Sequence, residues 1–217
     1  MKRKSTIIIT EQQLKDLVLK NLADDPEKVI SSFFKDIFNI PKSSETTKDS
    51  VEKGYSTAGD FLELDLSKPQ DYKKYTEIAD KFIASRSANL LGIRGSMLAD
   101  AARNSFNKFG KYVPVELALA QLAQEGGFSS NPNARPIKTK NPFNVGNIDS
   151  GKNVSHNSVQ SGIQSYYDLI AKNYLTGGKT ATNLLSNFVN SSGNRYAGDK
   201  NYEASLTKIA NQVSNIA

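Results

Sequence analysis

Apolar residues recur at spacings of three and four along most of this chain, so the pattern predicts helices interrupted by one long polar stretch. Near the start, Thr10 through Gln13 form a Thr-x-x-Gln capping box, with Ile9 and Leu14 placed to pack as a hydrophobic staple. Leu14, Leu17, Val18 and Leu22 then share one helix face. Asp25-Pro26 opens a second helix carrying Val29, Ile30, Phe33, Phe34, Ile37 and Phe38, and Pro41 closes it. Residues 42–59 are small and polar without periodicity, which predicts a linker. Apolar and acidic residues alternate from Asp60 to Leu66, as in a short extended segment or a helix start. Helices are expected at 70–86 and at 96–109, the second capped by Ser96, followed by one that begins at Pro114. Residues 127–161 hold no helical stripe. Within them, 143–148 and 153–159 are candidate strands of a hairpin turning through Gly146–Gly151. Helices at 162–175, 180–190 and 201–214 complete the chain. The expected fold class is α+β and mainly α: a helical module at 1–41, a linker at 42–59, and a domain over 60–217 with a small β-hairpin.

The helix beginning at Pro114 carries the first candidate chemistry. Leu117, Ala118, Gln121, Leu122 and Glu125 lie on one face, and Gly126-Gly127 stops the helix by supplying a residue free to take positive φ. Glu125 thus ends a greasy helix beside backbone that has no Cβ. Desolvation and the negative end of the helix dipole are both expected to raise its pKa. A carboxyl group kept protonated near neutrality can serve as a general acid.

Composition narrows the alternatives. The chain of 217 residues contains no cysteine and one histidine, His156, which excludes disulfides, thiolate metal sites and a two-histidine zinc site. An apolar content of 38% supports a core, and no apolar run approaches membrane-spanning length. After Met1-Lys-Arg-Lys, the apolar run Ile7–Ile9 is too short for a signal peptide, so neither secretion by a leader nor membrane insertion is expected. A net charge of +6 suits an anionic partner. The basic residues are dispersed rather than clustered with aromatics, which argues against nucleic acid and in favour of an anionic cell wall.

The run Leu117-Ala-Leu-Ala-Gln-Leu-Ala-Gln-Glu-Gly-Gly-Phe128 resembles the LAQAxLESGWG signature of lysozyme-like glucosaminidases of glycoside hydrolase family 73, the flagellar-muramidase type. In this alignment Glu125 falls on the catalytic glutamate, Gly126 replaces serine and Phe128 replaces tryptophan. Three further stretches follow in family order. Lys140 through Asn147 resembles NNLFGIK, with Phe143 on the family's phenylalanine and Asn144 where glycine is usual. Gly162 through Tyr167 resembles FRxY and brings in Tyr166. Asn194 through Tyr202 resembles YATDPxY and maps Tyr196 onto the active-site tyrosine. The opening Lys2-Arg-Lys-Ser-Thr-Ile-Ile-Ile-Thr-Glu is similar to a leader found on virion proteins of crAss-like bacteriophages, which carry such hydrolase domains.

This resemblance implies a lysozyme-like peptidoglycan hydrolase, associated with a phage virion and acting at the host envelope. Its partners would be glycan strands and, through residues 1–41, another virion protein; no cofactor or metal is implied. Glu125 would protonate the leaving oxygen of a β-1,4 glycosidic bond. Phe128, Phe143, Asn144 and Tyr166 would bind the sugar, and Tyr196 would assist at the reacting centre. The second carboxylate is open. Asp149 is the hairpin's candidate, although Gly146 and Gly151 beside it suit a plain turn residue, and Asp168 and Asp199 lie near matched motifs. A lytic transglycosylase on the same scaffold needs only one acid, and a non-catalytic virion protein needs none.

Overall fold

The computed structural model describes residues 61–147 and 151–216. The module at 1–41, the linker at 42–59 and the candidate acid Asp149 lie outside the described residues.

Seven α-helices run through the described residues: α1 (Pro69–Ala84), α2 (Gly95–Phe109), α3 (Val115–Gln124), α4 (Arg135–Thr139), α5 (Val159–Leu169), α6 (Ala181–Ser186) and α7 (Tyr202–Ser214). The chain is mainly helical, as the periodicity predicts. α3 is the centre. Val115 to Leu122 are all buried, so this helix has no solvent face and behaves as a core element. It packs chiefly on α7 and also on α1, while α2 lies between α1 and α5. Leu117, Leu119 and Leu122 are fully buried, each contributing about 1.5–3 kcal/mol by removal from water.

Several boundaries differ from expectation for identifiable reasons. Pro114 stands just before α3 in extended conformation (φ −61°, ψ 148°) rather than inside its first turn. α2 is not capped by Ser96. The Gly95 N–H donates to Asp80 Oδ1 at 2.6 Å, so a carboxylate borrowed from α1 satisfies the helix start. α5 begins at Val159, before the expected 162, because Ser158 and Ser161 form a reciprocal capping box. It runs on into a π-helical turn, Ile170–Tyr174, and buries Ile170, Ala171 and Tyr174. α4 lies where no helix was expected.

The alternating segment before α1 is extended, with Leu64 and Leu66 buried. It is tied to the start of α3 by the Leu62 N–H, which donates to Glu116 Oε1 at 3.1 Å.

No strand occurs among the described residues; the one pairing is an isolated antiparallel bridge between Val189 and Arg195. The expected hairpin arms, 143–148 and 153–159, are not paired strands where described. Side-chain amides take the place of a ladder. Asn141 accepts from the Val145 N–H at 3.1 Å and donates to the carbonyls of Val145 at 2.9 Å and Val154 at 3.2 Å. Asn147 Oδ1 accepts from the Val154 N–H at 2.7 Å. Backbone groups that a strand partner would satisfy are thus bound by two asparagines.

Candidate active site

Glu125 is held by the way its helix ends. It caps α3 with φ −81° and ψ 0°, one residue beyond the last helical turn, and its own N–H donates to the Gln121 carbonyl at 2.8 Å. The Gly126 N–H then reaches back to Ala123 O at 3.3 Å, and the Gly127 N–H to Leu122 O at 2.9 Å. This reciprocal pair is the Schellman motif, which requires a left-handed residue after the cap. Gly126 supplies it with φ +82°. Gly127 meets a different demand, close approach. A Cβ there would lie 2.4 Å from Leu122 Cδ1 and 3.1 Å from the Pro142 carbonyl oxygen. The two glycines therefore bring the 140–147 loop against the end of α3.

Two donors from distant parts of the chain converge on the Glu125 carboxyl group. The Tyr202 hydroxyl, at the start of α7, donates to Oε1 at 2.7 Å. Asn144 Nδ2 donates to Oε2 at 3.2 Å and to the Glu125 carbonyl at 2.7 Å. Asn144 reaches this position from a left-handed backbone (φ 52°). Burial pushes the Glu125 pKa above its ordinary value, opposed by the hydrogen bonds from Tyr202 and Asn144 and by the charge of Arg135. Desolvation is the leading influence, so the neutral acid is favoured beyond what a free glutamate would allow. Asp168 accepts from Lys108 Nζ at 2.7 Å on the surface, and Asp199 accepts from the Asn201 N–H at 2.9 Å.

The other expected site residues divide. Tyr196 lies beside the centre, where burial and then the Glu125 charge raise its pKa. Its hydroxyl donates to the Phe143 carbonyl at 2.8 Å, and its ring stacks on Tyr202 with centroids 6.0 Å apart. Phe143 and Tyr166 are fully buried and lie face to face, centroids 3.8 Å apart and 5° from parallel. With those faces covered, neither ring offers a sugar platform; they support the loop and α5 from inside the core. Phe128 is half-buried, edge-on to Phe82 at 6.1 Å. His156 is half-buried near Ser165, and burial lowers its pKa.

Two residues of the site were not singled out for a site role by sequence reasoning. Tyr202 closes the stretch that introduced Tyr196, and Gln121 was noted only as a neighbour on the Glu125 face. The Gln121 side chain is completely buried, donating to Tyr202 Oη at 3.0 Å and accepting from the Tyr166 hydroxyl. A buried glutamine one helical turn before a glutamate is the only signal that could have marked them.

A cavity of about 1160 Å³ opens at the opposite end of α3, where Phe61, Leu64, Leu66, Phe106, Tyr112 and Pro114 contribute to its walls. None of the expected site residues lines it, and hydrogen bonds from Ser67 hold its wall carboxyl Asp65 below the ordinary range, so Glu125 is the better candidate for an acid kept protonated. In comparisons with known proteins, the chain matches no family model, no curated protein and no solved structure.

Proposed function

We propose that this domain cleaves β-1,4 glycosidic bonds of bacterial peptidoglycan with Glu125 as general acid, on a lysozyme-like scaffold of glucosaminidase type. One observation carries the reading. The three stretches that resemble the family motifs around Glu125, Asn144 and Tyr196–Tyr202 are separated in sequence, yet they meet at one half-buried carboxyl group whose pKa is raised by desolvation. In the reaction, protonated Glu125 gives its proton to the glycosidic oxygen as the C–O bond breaks and the sugar acquires oxocarbenium character. Tyr202 and Asn144 then stabilise the carboxylate left behind, since both already donate to it.

A second reading uses Glu125 as the single acid, either with assistance by the substrate's N-acetyl group or as a lytic transglycosylase; the candidate second acid Asp149 lies outside the described residues. Residues 1–41 fit a docking segment for another virion protein, and phage association rests on the resemblance of that leader. Zymography against peptidoglycan tests the enzymatic reading. Wild type should clear the gel and Glu125→Gln should lose about 100-fold or more in rate; no clearing by folded wild type would leave a non-catalytic virion protein. Mass spectrometry of the released muropeptides separates the two chemistries, because only a transglycosylase leaves 1,6-anhydro ends.

A further inference from the structure

Glu125 is the end point of two chains of hydrogen bonds, and the direction of each is forced. In the first, the Tyr166 hydroxyl donates to Gln121 Oε1, Gln121 Nε2 donates to Tyr202 Oη at 3.0 Å, and the Tyr202 hydroxyl donates to Glu125 Oε1 at 2.7 Å. In the second, the Val154 N–H donates to Asn147 Oδ1 at 2.7 Å, Asn147 Nδ2 to Asn144 Oδ1 at 3.0 Å, and Asn144 Nδ2 to Glu125 Oε2 at 3.2 Å. A backbone N–H can only donate, so the second chain cannot run backwards. The first could reverse only if the Tyr202 hydroxyl turned from Glu125 and left its own hydrogen without an acceptor, or if the Gln121 amide flipped. The Tyr166 hydroxyl would then receive from Gln121 and lose its acceptor, in a fully buried position where an unmade hydrogen bond is costly.

We infer that Tyr202, with Gln121 and Tyr166 behind it, positions the acid by holding Oε1 as an acceptor at 2.7 Å, so that Oε2 is the oxygen that carries the transferable proton. The Asn144 donor stands 3.2 Å from Oε2 and binds the Glu125 carbonyl more closely, at 2.7 Å. This rests on the reading of Glu125 as general acid. In the step itself the Oε2–H bond breaks and the proton passes to the glycosidic oxygen. That oxygen takes the electron pair of its breaking C–O bond, the sugar carbon is trapped by water or by a hydroxyl of the same sugar, and the proton released by that attack returns to the Glu125 carboxylate. The carboxylate formed keeps both donors. Tyr166, expected from the resemblance to line the sugar cleft, becomes a positioning residue that acts through Gln121 rather than on the substrate.

The direction of the chain has a measurable sign. If Tyr202 donates to the carboxylate, its hydroxyl stabilises the ionised form and its loss raises the Glu125 pKa; if the acid donates to Tyr202, its loss lowers it. Carboxyl carbon NMR of glutamate-labelled full-length protein, with Glu125 assigned by its disappearance in Glu125→Gln, reads this directly. Tyr202→Phe should raise the Glu125 pKa by about one unit, the scale of one charge-assisted hydrogen bond. Tyr166→Phe should raise it by less, because the Gln121 amide is released but the Tyr202 donor remains. Where Tyr202→Phe fails to fold, Tyr166→Phe decides alone. An unchanged or lowered pKa in the folded variant overturns the inference. The titration needs no turnover, so a wild type that clears no peptidoglycan while the shift is seen defeats the enzymatic reading and leaves the network intact.

Discussion

Asn144 combines two demands that substitutions can separate. Its backbone sits in the left-handed region and its amide donates to Glu125 twice. Asn144→Gly keeps the backbone free and removes only the donor, whereas Asn144→Ala removes the donor and adds left-handed strain. Chemical denaturation should therefore find the alanine variant about 1–2 kcal/mol less stable than the glycine variant. Both should lose the Asn144 donor that opposes desolvation, moving the alkaline limb of cleavage upward relative to wild type; a limb that stays in place would show that Asn144 serves the fold alone. At this scale Glu125 was legible, because a greasy stripe ending in Glu-Gly-Gly can be read along a few consecutive residues. Tyr202 was not. Its partner lies 77 residues away, and nothing local marks a tyrosine whose hydroxyl is committed to a distant carboxyl. Phe143 and Tyr166 show the converse difficulty, since an aromatic that stacks on a sugar and one that stacks on another aromatic have the same sequence signature.

Among the elements, α1, α2, α3 and α7 follow the apolar periodicity to within a residue or two, because each buries one stripe or, for α3, every residue from Val115 to Leu122. The 140–157 loop was the least legible part. Its turn residues were visible, but sequence could not show that Asn141 and Asn147 would satisfy the backbone groups a hairpin would otherwise pair. The loop also depends on Gly162 of α5, where an added Cβ would fall 2.1 Å from the Lys140 carbonyl oxygen and 3.1 Å from Pro142 Cδ. Backbone cannot yield as a flexible side chain can. Gly162→Ala should push the loop off α5, cost about 1–3 kcal/mol in thermal or chemical unfolding, and lower activity further by displacing Asn144. Full stability in this variant would mean that the loop is not wedged against the helix.

For the molecule as a whole, α3 has a buried carboxyl in its first turn, opposite the half-buried Glu125 that caps its other end. Glu116 is 1% exposed, with Oε1 accepting from the Leu62 N–H and no hydrogen-bond partner found for Oε2. Burial raises its pKa, opposed by hydrogen bonds from the Glu116 and Leu62 N–H groups and by the charge of Lys74. A carboxyl with a folded pKa above its unfolded value contributes stability fully at pH below the unfolded value. That contribution is lost as pH rises through the folded pKa. Melting temperatures of wild type and Glu116→Gln, compared from pH 4 to 8, should therefore diverge in one direction, with the variant gaining on wild type as pH rises. A constant difference would mean that Glu116 does not change its proton affinity on folding.

The burial of α3 on every side has a consequence for how the site fails. A helix with no solvent face from Val115 to Leu122 cannot fray or swing aside alone there, so the peptide hydrogens from Leu119 to Leu122 should exchange with deuterium only when the entire domain opens. Heat or denaturant should then leave no partly melted form in which the acid has drifted while the remainder stands. Catalytic competence and global order would vanish together, in a single transition.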